Sequence, residues 1–309
     1  QPWDGSSTKG TFYLTKDWTL TSTITVPQGN SLTLCLNGHS ITLGSQTQSV
    51  VDGSHDVFSV QRRATFTLCD CKDENGNYGT IGHYNPTENQ GPGVNVAGTF
   101  NMYGGKIFQN QVKFYDGNPR GYGGGVLVSR TGTFNMFGGE ITGLDTSENS
   151  APYPAAVFNR GTFNLCGGKI TGNKSHAVYN ENATMNLYGG EISGNDTTYT
   201  DASAGAAVVL VSGSTLNMSG GTIKDNISNT LGGGVYAKGI QSRSSTLNIS
   251  GGEISGNRVN ATNEDLSFDG GGGVYVDLYA TLDLSGTARI SGNYACAVDY
   301  KESATFGGG

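Results

Sequence analysis

Apolar and polar positions alternate with period two in short runs that return along the whole chain. The clearest run is a phrase of nine or ten residues: TFNMYGGKI from Thr99, TFNMFGGEI from Thr133, TFNLCGGKI from Thr162, TMNLYGGEI from Thr184, TLNMSGGTI from Thr215, TLNISGGEI from Thr246 and TLDLSGTARI from Thr281. Successive copies start 34, 29, 22, 31, 31 and 35 residues apart, so a core unit of about 22 residues is lengthened by insertions of variable size. Weaker copies begin at Ser31 and Thr65, and SATFGGG from Ser303 opens one more. Fixed strands joined by elastic loops define a solenoid.

Each unit carries two strand-like runs before the Gly-Gly corner and one short strand after it. The first run is GGGVLV at Gly123, AAVF at Ala155, HAVY at His176, AAVVLV at Ala206, GGGVY at Gly232 and GGGVYV at Gly271. Three strands and three turns in about 22 residues make one turn of a parallel β-helix. A helical reading fails because no window places apolar residues at i, i+3, i+4 and i+7, and glycine disfavours a helix by about 1 kcal/mol each. The predicted class is all-β, a parallel β-helix of about nine coils over residues 31–309, with residues 1–30 as an N-terminal capping segment. Insertion loops are expected at 109–122, 144–154, 196–205, 227–231 and 258–270, gathered at one corner of each coil.

Strand alternation assigns the faces. Phe100 and Met102, Phe134 and Met136, Phe163 and Leu165, Met185 and Leu187, and their later equivalents through Leu282 and Leu284 point inward. The outward face carries an Asn column (Asn101, Asn135, Asn164, Asn186, Asn217, Asn248, then Asp283) and a second column of Tyr103, Phe137, Cys166, Tyr188, Ser219, Ser250 and Ser285. Stacked amides form a hydrogen-bonded ladder, as in cross-β structures, and stacked rings support neighbouring strands. The same set, planar rings beside amide donors and acceptors, also suits a saccharide. The ligand-binding candidates are therefore Tyr103, Phe137, Tyr188, Asn101, Asn135 and Asn186 on the face, with Tyr115, Tyr122, Tyr153 and Tyr199 in the loops.

One coil lacks an insertion: Gly172-Asn173-Lys174-Ser175-His176 runs directly into its strand, which predicts a notch between longer loops. Lys174 and His176 are expected on its floor, with Asp145, Glu148, Tyr153, Tyr199 and Asp201 on its walls. Two carboxylates flanking a scissile bond are the machinery of glycoside hydrolysis, so Asp145, Glu148, Asp201 and His176 are the catalytic candidates for that alternative. Cationic lyase chemistry finds only Lys174 there, with Arg120 on another loop.

Composition narrows the partners. The formal charge of −7, with no acidic run, argues against nucleic acid, and no apolar stretch approaches the roughly 20 residues that span a bilayer. Neutral carbohydrate or a host surface glycoprotein fits better. No metal or other cofactor is implied: Cys69-Asp70-Cys71 has the wrong spacing for zinc, and the Asp73–Asn77 run lacks the closing acid of a calcium loop, with Tyr84 in its place. Five cysteines cannot all pair within one chain; Cys35, Cys69 and Cys166 share one column, where parallel Cβ vectors make a poor bridge. The polar start at Gln1 and the coil opened at Ser303 lead us to expect part of a longer chain.

The phrases GGGVYV…TLDLSG and STLNISGGEISGN, with the opening WTLTSTITVPQGNSLTLCLNGHSITL and ATFTLCDC, resemble the right-handed parallel β-helix surface proteins of Gram-positive, often gut-dwelling, anaerobic bacteria. The Gly-Gly-x-Ile and Asn-turn pattern is more distantly similar to polymorphic outer-membrane autotransporter passengers. The resemblance implies a right-handed coil and a secreted or cell-surface location, with adhesion or sugar binding as the function. It supplies no catalytic motif, and the paired aspartates of β-helical polygalacturonases are absent. A spacer that projects another domain is the remaining structural alternative.

Overall fold

The computed structural model describes residues 1–44, 56–72, 75–84, 91–108, 110, 124–145, 155–198, 206–261 and 270–297. Every described element is a strand, and every pairing between strands is parallel. The result is a parallel β-helix whose coils present three faces.

The first face is the Thr-x-Asn strand, with Thr99–Met102 in register with Thr133–Met136 on one side and Thr65–Leu68 on the other. A Gly-Gly corner leads to the second face, where Lys106–Phe108 pairs with Glu140–Thr142. The third face is, over the described residues, a nine-stranded sheet running from Ile24–Val26 to Val274–Val276. Among the described residues the first face has ten rungs, because Gly10–Tyr13 already pairs with Leu32–Cys35. Parallel pairing thus already runs through residues 1–30, where Trp3 is buried. The Trp3 ring packs 5.6 Å from Trp18 and 6.5 Å from Phe58, centroid to centroid, while residues 1–3 hydrogen-bond along Tyr13.

The core is a set of inward columns. Phe58, Phe66, Phe100, Phe134 and Phe163 stack with centroids 4.6, 5.2, 5.0 and 4.9 Å apart, all without solvent exposure. Met185, Leu216 and Leu247 continue that column, and Ile107, Ile141, Ile170, Ile192, Ile223 and Ile254 fill the second face. Fully burying each such side chain contributes roughly 1.5–3 kcal/mol, repeated at every rung. Leu282 and Leu284 have the inward parity but are 36% and 52% exposed, on the last rung of the first face among the described residues.

The Gly-Gly corner is a steric necessity at both positions. A Cβ on Gly138 would sit 2.4 Å from the Tyr103 carbonyl oxygen of the preceding rung. Gly139 has φ of +82°, and a Cβ there would lie 2.6 Å from the Gly105 oxygen. The loops read as starting at 227 and 258 begin instead with strands, Ile227–Ser228 paired to Arg258–Val259 and Arg258–Ala261 paired to Tyr294–Ala297. Backbone pairing at that corner extends the sheet before the insertions leave it.

Candidate functional site

The outward Asn column is a continuous ladder. Asn135 Nδ2 donates to Asn101 Oδ1 at 2.8 Å, and Asn164, Asn186, Asn217 and Asn248 each donate to the preceding amide at 2.7–2.9 Å. Asn101 ends it on the Thr67 hydroxyl at 3.4 Å. Each inner member spends one N–H and one oxygen lone pair on its neighbours and retains the rest of its amide capacity at a half-buried surface.

Beside the ladder runs the column Tyr13, Cys35, Cys69, Tyr103, Phe137, Cys166, Tyr188, placed by strict register. Tyr103, Phe137 and Tyr188 are 56%, 42% and 55% exposed. Tyr103 and Phe137 stack on one another with centroids 4.7 Å apart and planes 14° from parallel. Their facing surfaces are therefore consumed by the stack. The next ring, Tyr188, is two rungs beyond Phe137, with only the thiol of Cys166 between. At about 4.8 Å per rung the two aromatic residues stand about 9.6 Å apart, a gap floored by a small, half-buried side chain.

The second face adds a row of alternating charge next to the corner: Lys106, Glu140, Lys169 and Glu191 in register. Lys106 Nζ is 3.2 Å from Glu140 and Lys224 Nζ 3.5 Å from Glu191. The Ser193 hydroxyl, with Lys169 and Lys224, holds the Glu191 carboxyl below its ordinary range. A concavity of about 300 Å³ opens on this face, lined by Asn77, Tyr78, Lys106, Phe108 and Glu140.

The notch is not as the sequence implies. His176 is wholly buried at the start of the strand His176–Glu181, in register with Ala155 and with its ring 5.7 Å from that of Tyr179. Its Nδ1 hydrogen donates to the Ala206 carbonyl at 2.7 Å, Nε2 has no partner, and desolvation lowers the imidazole pKa to about 4. It is a neutral interior side chain, out of reach of a substrate. Asp145 and Lys174 do meet, bridged backbone to backbone and paired at 2.9 Å through their side chains at the surface. An ion-paired carboxylate beside a sealed histidine does not assemble an acid and a base. Tyr115, Tyr122, Tyr153, Tyr199, Glu148, Asp201 and Arg120 lie outside the described residues.

A second, interior ladder runs through the Asn that follows each short second-face strand, a position whose polarity and neighbouring glycine predict only a turn. Asn173, Asn195, Asn226, Asn257 and Asn293 are essentially unexposed, and each amide is linked to the next at 2.8–2.9 Å. Each also donates to the carbonyl of an isoleucine in the preceding coil, as Asn195 does to Ile170 at 3.0 Å. Asn159 and Asn180 form a further interior pair at 2.9 Å, at the place where other coils put Val128 or Leu210.

Fold and surface together define a parallel β-helix with a laddered, aromatic-bearing outer face. No family model matches the chain, and no curated protein or solved structure is significantly similar to it.

Proposed function

We propose that the chain is an extracellular, cell-surface β-solenoid that recognises neutral carbohydrate, free or on a surface glycoprotein, through its outward aromatic and amide face. The observation that carries this reading is the gap between Phe137 and Tyr188. A pyranose slid into it rests about 4.8 Å from each ring, an ordinary stacking distance, with its C–H faces against aromatic rings. Its equatorial hydroxyls then reach toward the unused amide valences of Asn135, Asn164 and Asn186. The resemblance to β-helical surface proteins and the net negative charge, which disfavours polyanions, support the same choice.

The test is a screen of neutral glycans and mucin with the purified chain, recording binding and release of reducing ends together. We expect binding without release, weakened roughly tenfold by Tyr188→Ala and lost in Cys166→Phe, which fills the gap. Release of reducing ends would move the reading to hydrolysis. A chain that binds none of the glycans would sink it in favour of the spacer, the reading that the interior ladders support by themselves.

A further inference from the structure

Three thiols gather at the second and third rungs of the first face. Cys35 and Cys69 are direct partners in the parallel register. Cys71 stands two residues further on, exposed and outside the ladder. Asp70 sets its position: Oδ1 accepts from the Gly38 amide at 2.8 Å and Oδ2 from the Gly79 amide at 2.7 Å. That clamp draws the chain after Cys69 back over the corner of the preceding coil. Cys71 Sγ consequently lies 3.9 Å from Cys35 Sγ.

Cys69 is the nearer thiol in register but the poorer partner. Parallel neighbours hold their Cβ atoms about one rung apart, about 4.8 Å, with vectors that do not converge, beyond the roughly 3.5–4.5 Å of a disulfide. Its thiol donates to the Leu34 carbonyl at 3.6 Å, and burial, with the neighbouring Cys35 thiol, raises its pKa to about 11. Joining Cys35 to Cys71 requires a closure of about 1.9 Å, taken by a residue that makes no strand pairing.

We infer that Cys35 and Cys71 are a disulfide site, linking the second coil to the turn of the third, with Cys69 left as a thiol. With a small-molecule disulfide such as oxidised glutathione, the Cys71 thiolate attacks one external sulfur and expels the other half as a thiolate. Cys35, as thiolate, then attacks Cys71 Sγ and expels the second half. Two protein thiols become one disulfide, the external disulfide becomes two thiols, and the two protons pass to them. The neighbouring Cys35 thiol keeps the Cys71 pKa raised, so closure quickens as pH rises.

The experiment is unreduced peptide mapping of the whole chain after incubation with oxidised glutathione, with thermal melts before and after reduction. A Cys35–Cys71 cross-linked peptide is expected, retained in Cys69→Ser and abolished in Cys71→Ser, with the melting midpoint at least about 5 °C higher in the oxidised form. Cys71 is exposed, so Cys71→Ser leaves the fold intact, which circular dichroism checks. A Cys35–Cys69 link, a glutathione adduct that persists on Cys71, or thiols that stay reduced would each overturn the inference.

Discussion

Asn195 shows how one residue type can occupy two opposite environments on this scaffold. Its Oδ1 accepts from both the backbone and side-chain N–H groups of Asn173, while its Nδ2 serves Ile170, Ser193 and Asn226. A buried amide so engaged offsets its desolvation, and removing one member leaves several groups unpaired at about 1–3 kcal/mol each. Asn186, on the outer ladder, has water as a substitute partner. His176 is less well satisfied, because its Nε2 has no partner. Its folded-state pKa is depressed from 6.5 to about 4, so below pH 6.5 the unfolded chain binds a proton that the folded chain refuses. Stability is therefore present above pH 6.5 and falls as pH drops toward 4, by about 3 kcal/mol from this group. Urea melts of the native chain and His176→Gln at pH 7 and pH 4 measure it: the variant should lose about 3 kcal/mol less, and parallel losses would refute the assignment.

At the scale of the element, the corner explains why Gly-Gly recurs where a single glycine would satisfy a turn. The second glycine supplies the positive φ; the first leaves room for the carbonyl of the coil below. Gly138→Ala and Gly139→Ala should each cost at least about 2 kcal/mol, since the obstructing atoms are backbone and cannot rotate away. Gly29→Ala is the control. Gly29 also has φ of +81° but meets nothing within 4 Å, so only the backbone term of about 1 kcal/mol remains. Equal losses at Gly29 and Gly138 in urea melts would refute the steric account. The corner was legible in the sequence as a glycine pair, but the reason for its first member was not, because the obstructing oxygen belongs to a residue about one coil away.

For the whole molecule, stacking makes each coil a replaceable unit joined to its neighbours by register alone. Thr162 and Thr184 are direct partners, 22 residues apart, so deleting residues 162–183 removes one complete turn. The shortened chain should fold with an unchanged β spectrum and an X-ray scattering length shorter by about 4.8 Å. The same deletion closes Phe137 onto Tyr188 and abolishes the gap, so carbohydrate binding should vanish while the fold survives. Retained binding would remove the gap from consideration, and an unfolded product would show that the coils are not interchangeable.

Periodicity by itself determined the coil, its three strands, the inward columns and the existence of an outward Asn ladder, because each follows from counting positions along one repeat. His83 shows the limit: nothing local foretells that its Nδ1 meets Asn110 Oδ1 at 2.6 Å in the interior, 27 residues on. Tertiary structure alone decided that His176 is sealed rather than exposed, that Asn173, Asn195, Asn226, Asn257 and Asn293 face inward, and that Cys71 comes within 3.9 Å of Cys35. The physical reason is common to all three. A repeat specifies which residues share a column, whereas exposure and proximity depend on what the coils above and below bring to that column.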